Sequence, residues 1–328
     1  GGRIDAVRAL LTALAHDSMQ GRRTGTAGAD RAARLIADEM IDIGLVAAGD
    51  GGNGGAADAR RNAYLQRVPL MRARTAEGRE RLTLRPDDAD TVPAERRVDD
   101  ANVIGLIPGS DATLRDEAIV VGAHYDHVGV GAPVNGDSIR NGADDDASGV
   151  VAVLEIARSL RQGPAPQRTI VFVAFTGEEM GGLGNRHYLA HPVVPLDRTV
   201  AELQIEMIGR PDSLAGGTGR AWLTGYDRST MGDVLRDNGI PIVADPRPDQ
   251  NFFRRSDNYA FALRGIPAHT LSSFNLHTDY HQPSDEVEDV DFRHMTAVIQ
   301  AATRAVRILA DGERIEWKPG GQPEPPRR

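Results

Sequence analysis

Thr169 to Phe175 (TIVFVAF) is an unbroken run of apolar and β-branched residues, and Glu178-Glu179 follows almost at once. A strand of this kind must be covered on both faces, which is the habit of parallel sheets flanked by helices. The same alternation recurs from about residue 101. Val103–Ile107, Ala118–Gly122, Val200–Ile208 and His269–Ser272 read as strands. Ser148–Leu160, Met231–Asn238, Asn258–Leu263 and Asp291–Leu309 read as helices. Strands alternating with helices imply an α/β three-layer sandwich, with a mostly parallel mixed sheet and helices on both faces.

The first hundred residues are less regular. Ile4–Ala15 and Ala29–Ile43 have helical apolar spacing, and Gly44 supplies a stop. Residues 49–58 are rich in Gly and Ala and read as a mobile loop. Residues 73–100 are charged, with Leu82–Leu84 as a possible short strand. The reading is therefore one domain over 1–317, with 46–100 an irregular insertion and 318–328, rich in Pro, a disordered tail.

At 328 residues the chain can bury a large core. The net charge of -9 and the lack of a basic stripe argue against a nucleic-acid partner. No apolar run is long enough to span a membrane. With no cysteine, thiolate metal sites and disulfides are excluded. A start at Gly1-Gly2 without Met suggests that a signal peptide was removed, and hence a secreted or periplasmic protein.

Five segments offer hard or borderline metal ligands. They are GAHYDH at 122–127, NGADDDASG at 141–149, FTGEEMGG at 175–182, LQIEMIG at 203–209 and DYHQPSD at 279–285. Each has a bland reading alone: a strand-end histidine, a capping acid, a solvated carboxylate pair, a Glu206–Arg210 ion pair, a surface histidine. Jointly they supply two histidines and three or more carboxylates, enough to hold two zinc ions with a position open to water. The period of two in a strand puts Asp126 on the side of His124, where it can orient the imidazole. By the same rule His127 should face away and be structural or exposed. One of Glu178 and Glu179 would ligate and the other would accept a proton.

The set resembles the co-catalytic zinc aminopeptidase family that includes bacterial leucyl aminopeptidases, aminopeptidase Y, glutamate carboxypeptidase and the glutaminyl cyclases. GAHYDH looks like its first-ligand motif, implying His124 as ligand and Asp126 as its orienting group. GADDDASG looks like the bridging-carboxylate motif, implying Asp145. GEEMGGLG implies Glu178 as general base and Glu179 as ligand. DYHQPSD implies His281 as ligand and Tyr280 as an oxyanion stabiliser. The stretch from Leu14 to Arg22 and the one from Gly25 to Ala33 are similar to the opening of secreted bacterial members. Two positions depart: Glu206 stands where Asp is common, and Asn258 where His is frequent. The resemblance implies a two-zinc aminopeptidase acting on peptides with a free N-terminus. Its water-derived nucleophile would bridge the two ions, with Glu178 as base. The alternatives are a one-zinc, glutaminyl cyclase-like acyltransferase and a non-catalytic binding module on the same fold.

Overall fold

The computed structural model describes residues 2–51, 58–86 and 91–325. Part of the Gly/Ala-rich stretch at 49–58 lies outside them. In chain order the elements are α1 (Gly2–Leu14), α2 (Ala27–Ile43), β1 (Val46–Ala47), α3 (Ala59–Asn62), β2 (Leu65–Arg74), β3 (Glu80–Leu84), β4 (Arg97–Ile107), β5 (Ala118–His124), β6 (Gly129–Val134) and β7 (Asp137–Arg140). There follow α4 (Gly149–Gln162), β8 (Thr169–Phe175), α5 (Leu183–Ala190), β9 (Thr199–Glu206), β10 (Ala221–Leu223), α6 (Met231–Asp237), β11 (Ile242–Ala244), α7 (Asn258–Leu263), β12 (Ala268–Ser272) and α8 (Phe292–Asp311).

One ten-stranded sheet runs in the order β11-β10-β12-β9-β5-β8-β4-β2-β3, with β1 paired to β4. Its centre is parallel: β12 with β9, β9 with β5, and β5 with β8. Every residue of β5 and β8 is buried, as their apolar runs require. Residues of α1, α2, α4 and α8 share the larger core on one face of the sheet. Residues of α5 and α7 share a second core on the other. The mixed sheet between two helical layers is the architecture read from the sequence.

Local chemistry sets the helix limits. The Thr26 hydroxyl accepts from Ala29 N at the start of α2, and Gly44 ends it with φ 82°. Asp291 caps α8 by accepting from His294 N at 2.9 Å. From there Phe292, Met295, Val298, Ile299, Ala302, Val306 and Leu309 put one buried stripe against the sheet.

Two expectations about the chain's organisation need correction. Residues 46–100 are not an irregular insertion: they hold β1, β2, β3 and the start of β4, which extend the sheet antiparallel beyond β8. Their outer faces carry charge, so the apolar pattern is diluted. The tail is also more ordered than its composition suggests. Lys318 N donates to Arg228 O and Lys318 Nζ pairs with Asp233 at 2.7 Å. Gly321 O accepts from Arg228 at 2.9 Å, and Pro323 is buried. Residues 326–328 lie outside the described residues.

A buried histidine outside the cleft makes stability depend on pH. His269 Nε2 lies 2.6 Å from Ser229 Oγ and Nδ1 lies 2.7 Å from Thr224 O. Burial lowers its pKa to about 4, so the neutral ring is the folded form. The unfolded chain then binds the extra proton between roughly pH 6.5 and 4. Stability from this group is present above pH 6.5 and lost as pH falls through that window, by about 3 kcal/mol in all. Denaturant unfolding at pH 7 and pH 4.5 should show a smaller acid loss in His269→Gln than in the unmodified chain; equal losses would contradict the assignment.

Candidate active site

The parallel strands β5, β8, β9 and β12 end at one edge of the sheet, where open α/β sheets place their ligand crevice. His124 is the last residue of β5, and Glu206 the last of β9. Glu178 and Glu179 follow β8 in a short turn between two glycines at positive φ, Gly177 and Gly181. Asp145 lies in the turn leading into α4, and its peptide bond to Asp146 is cis. His281 arrives on the loop after β12 with φ 58°. All five predicted ligands meet here.

They form two groups. His281 Nε2 lies 3.0 Å from Asp145 Oδ2 and 3.1 Å from Glu179 Oε1. His124 Nε2 lies 3.3 Å from Asp145 Oδ1, 3.5 Å from Glu178 Oε2 and 3.7 Å from Glu206 Oε1. Asp145 therefore presents one oxygen to each group. Donors about 2.0–2.1 Å from one tetrahedral zinc lie roughly 3.3–3.4 Å apart. The observed separations, and the mix of imidazole and carboxylate, fit a zinc pair.

The three consecutive acids divide their work. Asp146 Oδ1 accepts from Met207 N at 2.9 Å and Gly149 N at 3.1 Å. Asp144 Oδ1 accepts from Gly209 N at 2.8 Å, and its Oδ2 lies 2.7 Å from His277 Nε2. His277 is thus engaged away from the two groups. Asp285 accepts from the N–H groups of both Asp144 and Asp145, at 2.9 and 3.1 Å. Asp145 alone of the three is left facing both donor groups.

Asp126 has a second role besides facing His124. His124 Nδ1 lies 3.0 Å from the Asp126 carbonyl oxygen and 3.4 Å from its carboxylate. The carboxylate oxygens accept from the backbone N–H of Glu178 and of Glu179, each at 3.1 Å. Asp126 thereby fixes the turn that carries the acid pair. Glu206 accepts from Ser256 Oγ. Arg210 pairs with Asp279 at 2.7 Å, so the Glu206–Arg210 alternative is not what forms. Asn258 is buried, donating to Phe253 O at 3.0 Å and accepting from Thr270 Oγ1 at 2.9 Å. It braces the cleft through Thr270.

Crowded buried carboxylates shift one another. Burial first, then Glu206, Glu179 and Asp257, push the Glu178 carboxyl well above its usual range, against the pull of His124. Burial, with Asp145, Asp257 and Glu179, raises Glu206 to about 8. For His281, burial opposes charge, but the Asp145 and Glu179 carboxylates win and lift it to about 10. A divalent cation would offset this negative charge.

Sequence reasoning missed several participants. His127 does not face away: it is fully buried and joins the group of His281, Glu179 and Asp145. Asp257, buried and raised to about 7 chiefly by burial, adds to the field on Glu178 and Glu206. Arg22 is buried behind the site.

An open cleft of roughly 470 Å³ leads to the two groups. Met207, Trp222, Phe252, Phe274 and Tyr280 line it together with Thr224, Thr270, Ser272 and Arg255. Trp222 and Phe252 stack with ring centres 5.1 Å apart. Tyr280 lies over the His281 ring at 3.9 Å.

The chain is 30% identical over 254 residues to aminopeptidase YwaD of Bacillus subtilis, covering 73% of this chain and 51% of that protein. It is 29% identical over 172 residues to a probable leucine aminopeptidase 2 of Aspergillus oryzae, covering 51% of this chain and 32% of the other. It thus spans a third to a half of the length of these relatives. The fold matches the structure of BSAP, a zinc aminopeptidase from Bacillus subtilis, with TM-score 0.64 at 18% identity, over 94% of this chain and 95% of that one. It also matches Porphyromonas gingivalis glutaminyl cyclase, with TM-score 0.61 at 16% identity, over 92% and 97%. Residues 102–306, which carry every strand-end donor described above, match Peptidase family M28, and the chain belongs to that family.

Proposed function

We propose that this chain is a zinc-dependent aminopeptidase that removes large apolar residues from the N-terminus of peptides. The observation that carries the reading is the pair of donor groups sharing Asp145 at the floor of an apolar-walled cleft. His281, Glu179 and Asp145 would hold one zinc, and His124, Glu206 and Asp145 the other. Bound zinc supplies Lewis acidity toward the scissile carbonyl and lowers the pKa of water.

The chain's own residues do the rest. Glu178, held high in pKa, accepts a proton from the attacking water and returns it to the leaving amine. Asp126 keeps Glu178 and Glu179 in register by binding both their N–H groups. Tyr280 lies beside His281, where its hydroxyl can favour the developing oxyanion. Met207, Trp222, Phe252 and Phe274 receive an apolar side chain, and the surplus of carboxylates favours a free α-ammonium group.

A panel of aminoacyl p-nitroanilides, free and N-acetylated, tests this. Release from Leu and Phe substrates should exceed release from Asp or Gly substrates, cease on N-acetylation, and be lost on chelation and regained with zinc. Cyclisation of N-terminal glutamine without hydrolysis of the panel would favour the acyltransferase alternative instead. No described helix is long and apolar enough to cross a membrane.

The Glu206 ligand role has its own test. Glu206→Ala should weaken one zinc of the pair and spare the other, because His281 and Glu179 belong to the second group. Calorimetric titration should then resolve one tight and one weakened event. Unchanged stoichiometry and affinity would remove Glu206 from the site.

A further inference from the structure

We propose that His127 is a further protein ligand, closing the Glu179–His281 zinc site with a second imidazole. The proposal rests on the di-zinc reading above and concerns only which side chains hold that ion.

His127 has no exposed surface, and neither ring nitrogen has a hydrogen-bond partner. Buried polar atoms are nearly always satisfied, so an orphaned imidazole points to a missing ligand. Its Nδ1 is aimed at the cluster, 3.3 Å from Glu179 Oε1 and 3.9 Å from Asp145 Oδ2. The approach to Glu179 is too oblique for a hydrogen bond. It is close to the roughly 3.3–3.4 Å expected between two donors on one tetrahedral zinc. His127, Asp145, Glu179 and His281 each bring a donor atom within 4.8 Å of the others. The two imidazoles meet edge to face, with centres 5.4 Å apart and planes at 78°. Their nitrogens can thus converge without the rings colliding.

The ring is held in place. His127 N–H donates to Arg22 O at 3.2 Å. Its face lies on Gly142, where a Cβ would come within 2.6 Å of the ring carbons. No neighbour ties either nitrogen to one tautomer, so Nδ1 can offer its lone pair.

The consequence is an unequal pair. Four protein donors make the Glu179–His281 site the closed, tight one, as in structural zinc sites. The His124–Glu206 site keeps the open position and is the one that exchanges.

Two measurements decide the matter. The first is a crystal structure of the unaltered chain loaded with zinc. His127 Nδ1 within about 2.0–2.1 Å of the ion shared with Glu179 and His281 supports the proposal. His127 more than 3 Å from an ion that those two residues do bind overturns it and leaves the di-zinc reading intact. The second is chelator competition on His127→Ala and His281→Ala. His127→Ala should weaken one zinc at least about tenfold, the same ion that His281→Ala weakens, and spare the other. Wild-type affinity at both sites in a folded His127→Ala overturns the proposal. Failure of the unaltered chain to bind zinc at all overturns the reading beneath it too, so the two failures are distinct. The crystal structure needs no variant and stands even where His127→Ala does not fold.

Discussion

Glu178→Gln is expected to retain both zinc ions and the full unfolding midpoint while losing about 10²–10⁴-fold in kcat. Glu178 lies within 3.5 Å of His124 and is grouped with His124 and Glu206, so its geometry alone allows a ligand role. The two roles separate under this substitution. Glutamine keeps the size and the backbone N–H that Asp126 accepts, but it cannot accept and return a proton at working pH. A ligand's loss would lower zinc affinity along with turnover; a base's loss lowers turnover alone. Burial and three neighbouring carboxylates push the Glu178 carboxyl well above its usual range, as is common for groups that move protons, which favours the second outcome. Metal content by mass spectrometry, measured beside kcat, decides. Near wild-type turnover at full zinc content would rule Glu178 out as the base, and a parallel fall in zinc would make it a ligand.

The central strands were legible because burial on both faces leaves no room for polar residues: β5 and β8 read as apolar runs and are fully buried. The antiparallel flank was not. In β2 the burial falls away toward the C-terminal end, and Arg72 and Arg74 carry the exposed positions. Such a strand resembles a charged loop, because its outer residues face water rather than a second layer. Three of the five candidate ligands were legible for a related reason. His124, Glu179 and Glu206 stand at or just past a strand end, where a carboxylate or imidazole has no packing role.

His127 was misplaced because the alternation rule was carried past the end of β5, which stops at His124. Beyond it the chain turns, and the period of two no longer sets direction. Three adjacent acids at Asp144, Asp145 and Asp146 repel one another, and their spacing gives no sign of what offsets that cost. Backbone N–H groups of Met207, Gly149 and Gly209 satisfy the outer two acids. The contacts with Met207 and Gly209, more than sixty positions away, leave no mark on local spacing.

Arg22→Met is expected to cost about 3–5 kcal/mol of stability, the scale for stripping a buried charge from its partners. Arg22 is fully buried, yet among the described residues its side chain donates to backbone carbonyls rather than to a carboxylate. Its Nε donates to Tyr125 O at 2.7 Å, and its terminal nitrogens to Leu14 O at 2.9 Å, Asn141 O at 2.6 Å and Gly142 O at 3.0 Å. One guanidinium thus ties the end of α1, the chain after β5 and the turn before Asp145. Burial lowers its pKa, while Asp285, Asp126, Asp145 and Asp146 act the other way and favour the cation. Methionine fills the volume but removes the guanidinium donors from four carbonyls, of which Gly142 O keeps the Ala147 N–H, and leaves the acids without a counter-charge. Lysine restores the charge but cannot span the same fan of acceptors, so Arg22→Lys should rescue only part of the loss. In thermal unfolding the Met variant should fall by roughly 4–7 °C. Because the guanidinium braces the Asn141 and Gly142 carbonyls just before Asp145, zinc affinity should weaken in the variant even at temperatures where it stays folded. A midpoint within about 2 °C of wild type, together with unaltered zinc affinity, would show that the clamp is not needed, and full rescue by lysine would show that only its charge matters.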